Sequence, residues 1–269
     1  MKILILGDVF GRTGRRMVEE NIDSLRAKYT PDFMIANSEN ITGGKGPIEK
    51  HVLAMKDLGF DVLTGGNHVF SNLKDSGSVF SDHESIQIRP ANYLEIREYP
   101  IPGKGWRIVE KGGQRLLVIN VMSNVFMHDG LDNPFQSIDR ILSGFTEKFD
   151  AIIVDFHRET TAELANMAYF LDGRVSVVYG THTHVQTNDE RIFPKGTGMI
   201  TDLGMTGPLW SSIGHTFESR LPQFLTGTKL FGPKAEQVVG EGVLTGIFVE
   251  VQAGKCIRIE KIRIREGEE

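Results

Sequence analysis

Three short apolar runs alternate with two helix-like segments at the start of this chain. The runs Lys2–Gly7, Asp32–Ala36 and Phe60–Thr64 are predicted to be strands, and their nearly unbroken apolar character is typical of strands that are covered on both faces. Between them, residues 14–28 and 48–58 carry apolar residues at helical spacing. This β-α-β-α-β order predicts an α/β protein with parallel strands.

Further strands are expected downstream, with a helix over about 160–171. The expected strands are Arg115–Val121, Ala151–Phe156, Val175–Tyr179, Met199–Leu203, Val243–Val251 and Cys256–Arg265. In the last of these the apolar alternation changes phase near Glu260-Lys261, which predicts a bulge or turn in a charged edge strand. Residues 70–105 and 204–242 lack long apolar runs, so we expect surface excursions there, within one domain spanning residues 1–269.

The composition argues against several classes of protein. Hydrophobic residues make up 40% of the 269 positions and charged residues 24%, as in an ordinary soluble globular protein. A net charge of −5 argues against a broad basic surface, so no DNA partner is expected. The single cysteine, Cys256, cannot form an intrachain disulfide, and no apolar run is long enough to span a membrane. We therefore expect a cytoplasmic protein without membrane association.

Polar side chains of the metal-binding type follow five of the apolar runs. In open α/β sheets, ligand sites form beyond the carboxyl ends of the strands, where these side chains would lie. The residues are Asp8, Glu39, Asn40, Asn67, His157, His182 and His184. Oxygen and imidazole donors without a thiolate suit Mn, Fe, Zn or Mg rather than a structural cysteine–zinc site. Seven side chains exceed the needs of one four-coordinate ion and suit two ions about 3.5–4 Å apart, an arrangement used in phosphoester hydrolysis.

The histidines of Gly180-Thr181-His182-Thr183-His184 are the most informative pair. Residues at positions i and i+2 of an extended chain project to the same side, so a strand continuing through this stretch would direct both imidazoles into one small volume. The alternative is a pair of unrelated loop histidines.

Each of the other candidates also has a purely structural alternative. Asp8 could cap the following turn or helix. Glu39 and Asn40 could be solvated loop residues, and Asn67, after two glycines, could simply adopt a left-handed turn conformation. His157, at a strand end, could be a core histidine with a satisfied hydrogen bond.

Several other polar residues carry weaker signals. Gly43-Gly44-Lys45-Gly46 lacks the frame of a phosphate-binding P-loop and is expected to be a flexible rim. Arg158, beside His157, could contact a phosphate group or could be a surface arginine. The remaining histidines are expected to be structural or exposed, although one in a loop could touch a substrate: His51, His83, His128 and His215.

These motifs, in this order, resemble the signature of the calcineurin-like metallophosphoesterases. The stretches that carry the likeness are Gly7-Asp8, Glu39-Asn40, Gly66-Asn67-His68, His157 and Gly180–His184. The passages GDVFGRTGRR, DFMIANSENITGGKG, DFHRETTAEL and GTHTHVQTNDERIFPKGT, the last followed by ITDLGMTGP, resemble more closely the bacterial YmdB-type branch of that superfamily. The likeness covers nearly the whole chain.

The resemblance implies a four-layer α/β/β/α sandwich of two mixed sheets flanked by helices. It also implies a metal-dependent phosphodiesterase, with 2′,3′-cyclic nucleotides as the substrate class of the branch. Two divalent or mixed-valence ions are expected, Fe or Mn first and Zn or Mg as alternatives. One ion would be held by Asp8, Glu39, Asn40 and His184, and the other by Glu39, Asn67, His157 and His182. Glu39 would bridge the ions, and His68 would be the proton donor.

The chain departs from the wider superfamily at three points. The usual Asp-x-His becomes Asp8-Val9-Phe10, and Asn40 takes the place of the missing imidazole. The usual bridging aspartate is Glu39. An aspartate to orient His68 has no obvious counterpart between Asn40 and Gly46. The YmdB-type branch shares these departures.

Two other functions stay open from the sequence. One is a phosphomonoesterase, including one acting on phosphoproteins, because the choice between esterases depends on the walls around the ions. The other is a metal-stabilised regulatory protein associated with RNA, in which the centre is idle. As partners we expect a small nucleotide-like phosphodiester and a second copy of the chain in a homo-oligomer.

Overall fold

Two six-stranded mixed sheets and five α-helices make up the described part of the chain in the computed structural model. The structure describes residues 1–74, 77–81, 85–127, 130–228 and 235–267. The helices are α1 (Gly11–Tyr29), α2 (Glu49–Asp57), α3 (Pro134–Ser143), α4 (Thr161–Leu171) and α5 (Phe217–Thr226), with a short 3-10 turn at Gly77–Val79. None of these described helices is both long and apolar enough to cross a bilayer.

Sheet 1 has the strand order β12-β11-β10-β1-β2-β3. Its strands are β1 (Lys2–Val9), β2 (Phe33–Asn37), β3 (Val62–Thr64), β10 (Met205–Pro208), β11 (Gly242–Gln252) and β12 (Lys255–Arg265). Strand β1 is parallel to β2 and β10, whereas β11 runs antiparallel to β1, β10 and β12.

Sheet 2 has the order β4-β5-β6-β7-β9-β8. Its strands are β4 (Trp106–Lys111), β5 (Gln114–Met122), β6 (Ala151–His157), β7 (Val177–Thr181), β8 (Arg191–Ile192) and β9 (Gly198–Ile200). The four central strands β5, β6, β7 and β9 are parallel, so their carboxyl ends lie at the same edge of the sheet.

Three buried apolar clusters define the layers. The first joins β1 to α1 and α2 on the outer face of sheet 1, through residues such as Leu6, Val18 and Val52. The second lies between the sheets, where Ile5 and Ile153 belong to the same cluster. The third covers the outer face of sheet 2 with α3 and α4. The predicted α/β/β/α sandwich is therefore confirmed, and both sheets are covered on both faces, as the apolar strands required.

Two predicted features differ in detail. Residues 205–208, within the expected excursion, form the buried strand β10 in sheet 1. Its sequence, Met-Thr-Gly-Pro, has no apolar run, so its strand character comes only from pairing with β1 and β11. At the carboxyl terminus, the register shift in the β11–β12 pairing lies opposite Glu250 and Val251, not near Glu260-Lys261. The phase change arises because Ile259 packs between the sheets while Ile262 packs towards α1.

Candidate metal centre

The candidate ligands lie at the carboxyl ends of strands from both sheets. Asp8 is next to last in β1, and Glu39 follows β2. His157 is the last residue of β6, and His182 and His184 follow β7. A continuous series of contacts joins the whole predicted set: Asp8, Glu39, Asn40, Asn67, His68, His157, His182 and His184.

Glu39 belongs to two overlapping groups of potential ligands. One ligand atom from each of Glu39, His157 and His182 lies within 4.8 Å of the others, and the same holds for Asp8, Glu39 and His184. The Glu39 side chain is 1% exposed and lies beyond the end of β2, in contact with His157 of sheet 2. A carboxylate shared by two groups occupies the position that a bridging ligand requires.

The two asparagines present different atoms to their neighbours. Asn67 Oδ1 lies 3.0 Å from His157 Nε2, so its oxygen is directed at the centre. The Asn40 amide nitrogen lies 2.9 Å from Glu39 Oε1 and 3.0 Å from His184 Nε2. Ligation by the Asn40 oxygen would therefore require its amide group to turn over.

Hydrogen bonding around His157 leaves a cluster of acceptors that suits a cation. Thr181 Oγ1 donates its proton to Asp155 Oδ1 at 2.8 Å, so it accepts from His157 Nδ1 at 2.9 Å. In the tautomer whose only proton is on Nδ1, His157 has an acceptor at Nε2, which lies 3.1 Å from Glu39 Oε2 and 3.0 Å from Asn67 Oδ1. Three acceptors converge here, and a metal ion is the natural group to satisfy them.

Asp8 shows the same need for a cation on the other side of Glu39. Its Oδ1 atom is buried and has no hydrogen-bond partner among the described residues. Burial, followed by the charges of Glu39 and Asp202, raises the pKa of Asp8 well above its usual value. Burial alone would also raise the pKa of Glu39, but when His157 and His68 carry protons facing it, their charges and hydrogen bonds hold that pKa well below its usual value. Two buried carboxylates this close together suit a divalent cation.

The two histidines after β7 are poised as neutral ligands. Burial and then the neighbouring His157 lower the pKa of His182 to about 3, and burial lowers the pKa of His184 to about 4. His184 Nδ1 lies 3.0 Å from the Ile213 carbonyl, so Nδ1 donates and Nε2 keeps its lone pair. His182 Nε2 lies 3.1 Å from Glu159 Oε2, which leaves Nδ1 for an ion.

The backbone around this pair differs from the expected extended geometry. Strand β7 ends at Thr181, and the φ angles of His182 and His184 are 110° and 64°. The expectation that both imidazoles project to one side of a strand was therefore wrong. A turn directs each histidine to a different ligand group, so the pair serves both halves of the centre.

His68 lies beside the centre and is partly accessible. Its Nδ1 lies 3.1 Å from Asn40 Oδ1 and 3.4 Å from Glu39 Oε1, and the side chain is 42% exposed. The hydrogen bond with Glu39 raises the pKa of His68 against the opposing effect of burial. The aspartate that the wider superfamily uses to orient this histidine thus has a structural counterpart in Asn40 and Glu39.

Sequence reasoning missed the acids that support the ligands. Asp155 bonds Thr181, Asn37 and Thr64 between the sheets, and burial raises its pKa to about 6. A single acid inside the apolar run of β6 was the signal that could have revealed it.

Arg158 is neither a surface residue nor exposed to a phosphate group: it is fully buried, and its Nη2 lies 3.4 Å from Asp202 Oδ2.

Two of the other histidines have structural contacts in the described residues. His51 pairs with Thr42 Oγ1 at 2.9 Å. The His215 ring contacts Phe10 edge-on at 5.5 Å, and Phe10 also contacts His184. His83 and His128 lie outside the described residues.

Gly66 leaves no room for a side chain between two ligands. A Cβ at residue 66 would overlap Glu39 Oε2 and His157 Nε2. Gly66→Ala is therefore expected to lower bound metal at least about tenfold at limiting metal concentration, as displaced ligand positions do. Metal per folded chain, measured by inductively coupled plasma mass spectrometry, tests this. Gly144→Ala is the matched control, because Gly144 ends α3 with a φ of −76°. Full metal content in Gly66→Ala would contradict the assigned site.

Fold and donor set together define a metallophosphoesterase. A sequence model for the family described as YmdB-like protein matches residues 4–262, and this chain belongs to that family. It is 39% identical to the 2′,3′-cyclic-nucleotide 2′-phosphodiesterase of Bacillus subtilis (strain 168), over 99% of this chain and 98% of that protein.

Two solved structures share the fold of this chain. A crystal structure of a novel phosphatase from Mycoplasma pneumoniae superposes with a TM-score of 0.90 and 34% identity, covering 98% of this chain and 93% of that one. A 5′-nucleotidase precursor from Thermus thermophilus shares the fold at 14% identity and a TM-score of 0.55, covering 98% of this chain and 54% of that one.

Proposed function

We propose that this protein is a two-metal phosphodiesterase that hydrolyses 2′,3′-cyclic nucleotides. The observation that carries the proposal is the convergence of buried acceptors from both sheets around Glu39. The Bacillus subtilis relative supports the substrate class, because it matches nearly the whole chain and its name specifies that substrate.

The two groups that share Glu39 support the proposed ligand sets, to which the family resemblance adds Asn40 and Asn67. Asp8, Glu39, Asn40 and His184 would hold one ion, and Glu39, Asn67, His157 and His182 the other. When bound, the ions supply charge neutralisation for the phosphate oxygens and activation of water. Fe or Mn fits imidazole, carboxylate and amide donors without a thiolate. A cytoplasmic location, a homo-oligomeric state and a link to RNA stay predictions from the sequence.

His68 supplies the proton that the reaction needs. Ring opening forms one P–O bond from water and breaks the P–O bond to one sugar oxygen, which leaves as a hydroxyl group. His68 is close to Glu39 but more exposed than the ligands, and its raised pKa favours the protonated form. Donation of that proton to the leaving oxygen is general acid catalysis. The strain of the five-membered cyclic phosphate makes such a substrate favourable.

A second candidate is a phosphomonoesterase. The Mycoplasma pneumoniae structure is described as a phosphatase, which favours this alternative. Diesters and monoesters differ in charge and in the group beyond the phosphate, so the walls around the centre decide between them.

A substrate panel tests the function directly. Purified protein is assayed with 2′,3′-cyclic AMP, bis-p-nitrophenyl phosphate and p-nitrophenyl phosphate: as isolated, after chelation, and after addition of Mn²⁺ or Fe²⁺. We expect both diesters to be hydrolysed, chelation to abolish turnover and a metal ion to restore it. Anomalous scattering at the metal absorption edges, from crystals of the same protein, identifies the ions. Hydrolysis of the monoester alone would favour the second candidate, and metal-independent turnover would contradict both.

A further inference from the structure

The chain crosses from sheet 2 to sheet 1 directly beside the candidate centre. Residues 201–204 connect β9 to β10. The Leu203 amide donates to the Gly180 carbonyl in β7 at 2.9 Å, and the Asp8 amide donates to the Gly204 carbonyl at 3.0 Å. This crossing segment, residues 201–204, therefore contacts the ligand-bearing ends of one strand from each sheet.

Asp202 is the charged residue of the crossing segment, and it is fully buried. Its Oδ1 accepts the Gly204 amide at 2.8 Å, and its Oδ2 accepts the Thr183 amide at 3.1 Å. Arg158 Nη2 lies 3.4 Å from the same Oδ2, and both side chains of this pair have no exposed area. A buried ion pair costs desolvation energy, so its presence beside the ligands needs an explanation other than stability.

Thr183 is the residue between the two histidine ligands. Both histidines have positive φ angles, 110° and 64°, which are unfavourable for residues other than glycine. Such a turn persists only where its surroundings hold it. The His182 amide donates to Asp8 Oδ2 at 3.1 Å, and the Thr183 amide donates to Asp202. Two buried carboxylates thus hold the strained turn, and only Asp8 is a candidate ligand.

We propose that Asp202, charge-balanced by Arg158, is a positioning residue that holds the His182–His184 turn and so sets the direction of both imidazoles. A carboxylate is needed because its two oxygens accept the Gly204 and Thr183 amides while its charge balances that of Arg158. An amide has one acceptor oxygen, so its NH₂ group would face either the Gly204 amide or the Thr183 amide and the Arg158 guanidinium together. The inference rests on the ligand set proposed above, but the strained turn and its contacts exist independently of any ion.

Asp202→Asn tests the role, with Asp172→Asn as the matched control. Asp172 is also a largely buried carboxylate, and it accepts the backbone amides of Lys195 and Thr197. It precedes β7 in the chain, whereas the His182–His184 turn follows β7. Hydrogen–deuterium exchange is measured on metal-free protein in a peptide covering 181–187. We expect exchange there to be at least about tenfold faster in Asp202→Asn and unchanged in Asp172→Asn. Metal per folded chain should fall in the first variant only, and kcat should fall more than KM rises.

Unchanged exchange in 181–187 together with a full metal content in Asp202→Asn would overturn the inference. If that variant does not fold, Arg158→Lys serves in its place, because it keeps the positive charge at shorter reach. In Arg158→Lys we expect faster exchange confined to the 181–187 peptide. Unchanged exchange in that peptide would also overturn the positioning role of Asp202. Wild-type protein that binds no ions would defeat the proposed function, whereas the exchange result would still decide the role of Asp202.

Discussion

Glu39→Gln is expected to abolish turnover of 2′,3′-cyclic AMP, with a loss of about 10³-fold or more. Glu39 is the one carboxylate common to both ligand groups among the described residues, so glutamine removes charge from both ion sites at once. Loss of several kcal/mol of charge stabilisation corresponds to that factor in rate. Metal per chain should fall below two, as measured by inductively coupled plasma mass spectrometry after dialysis against equal metal concentrations.

Thermal unfolding provides a second measurement for Glu39→Gln. An ion at 100 times its Kd stabilises the folded state by about 2.7 kcal/mol, so wild-type protein should melt at a higher temperature with metal than without. The variant should lose most of this increase. Glu260→Gln is the control, because Glu260 accepts a hydrogen bond from Tyr29 at the opposite edge of sheet 1. Two retained ions and an unchanged metal-dependent shift would show that Glu39 does not bridge.

His68→Ala is expected to lower kcat for 2′,3′-cyclic AMP by about 10²–10⁴-fold, the usual range for loss of a general acid. Metal content should stay close to that of the wild type, because His68 contacts the ligands Asn40 and Glu39 but belongs to neither ligand group. Bis-p-nitrophenyl phosphate should be affected much less, since p-nitrophenolate leaves without being protonated. The ratio of the two losses is the measurement that identifies the acid.

His51→Ala is the control for this experiment. His51 bonds Thr42 from helix α2 and is expected to change kcat less than about twofold, as most surface substitutions do. If His68→Ala lowered kcat by the same factor for both substrates, His68 would act in substrate binding rather than in proton donation. Loss of metal from His68→Ala would make it a ligand and contradict its assigned role.

Much of the site was predictable because parallel strands impose order on it. An apolar run that ends in a polar residue places that residue at the carboxyl edge of its sheet, so the rule groups Asp8 with Glu39 in sheet 1 and His157 with the histidines after β7 in sheet 2. The apolar runs predicted an α/β protein with parallel strands, which needs only local sequence. The four-layer architecture, which brings the two sheets together, was implied by the family resemblance alone.

The contacts that tune the site were not predictable, because they join residues far apart in the chain. Asn37 and Asp155 are 118 positions apart and bond between the sheets at 3.1 Å. The turn at His182 and His184 was predicted as extended because local sequence carries no sign of the carboxylates that hold it. Strand β10 has no strand pattern of its own and exists through its neighbours.

The sequence by itself determined which donors are present, the order along the chain of the strands that carry them, and the chemical class of the centre. Tertiary structure alone decided which nitrogen of each histidine is free, where Arg158 places its charge and how two strained residues are held. The physical reason is distance along the chain. Strand propensity and apolar periodicity act over a few residues, whereas buried hydrogen bonds and ion pairs form only after two sheets have packed face to face.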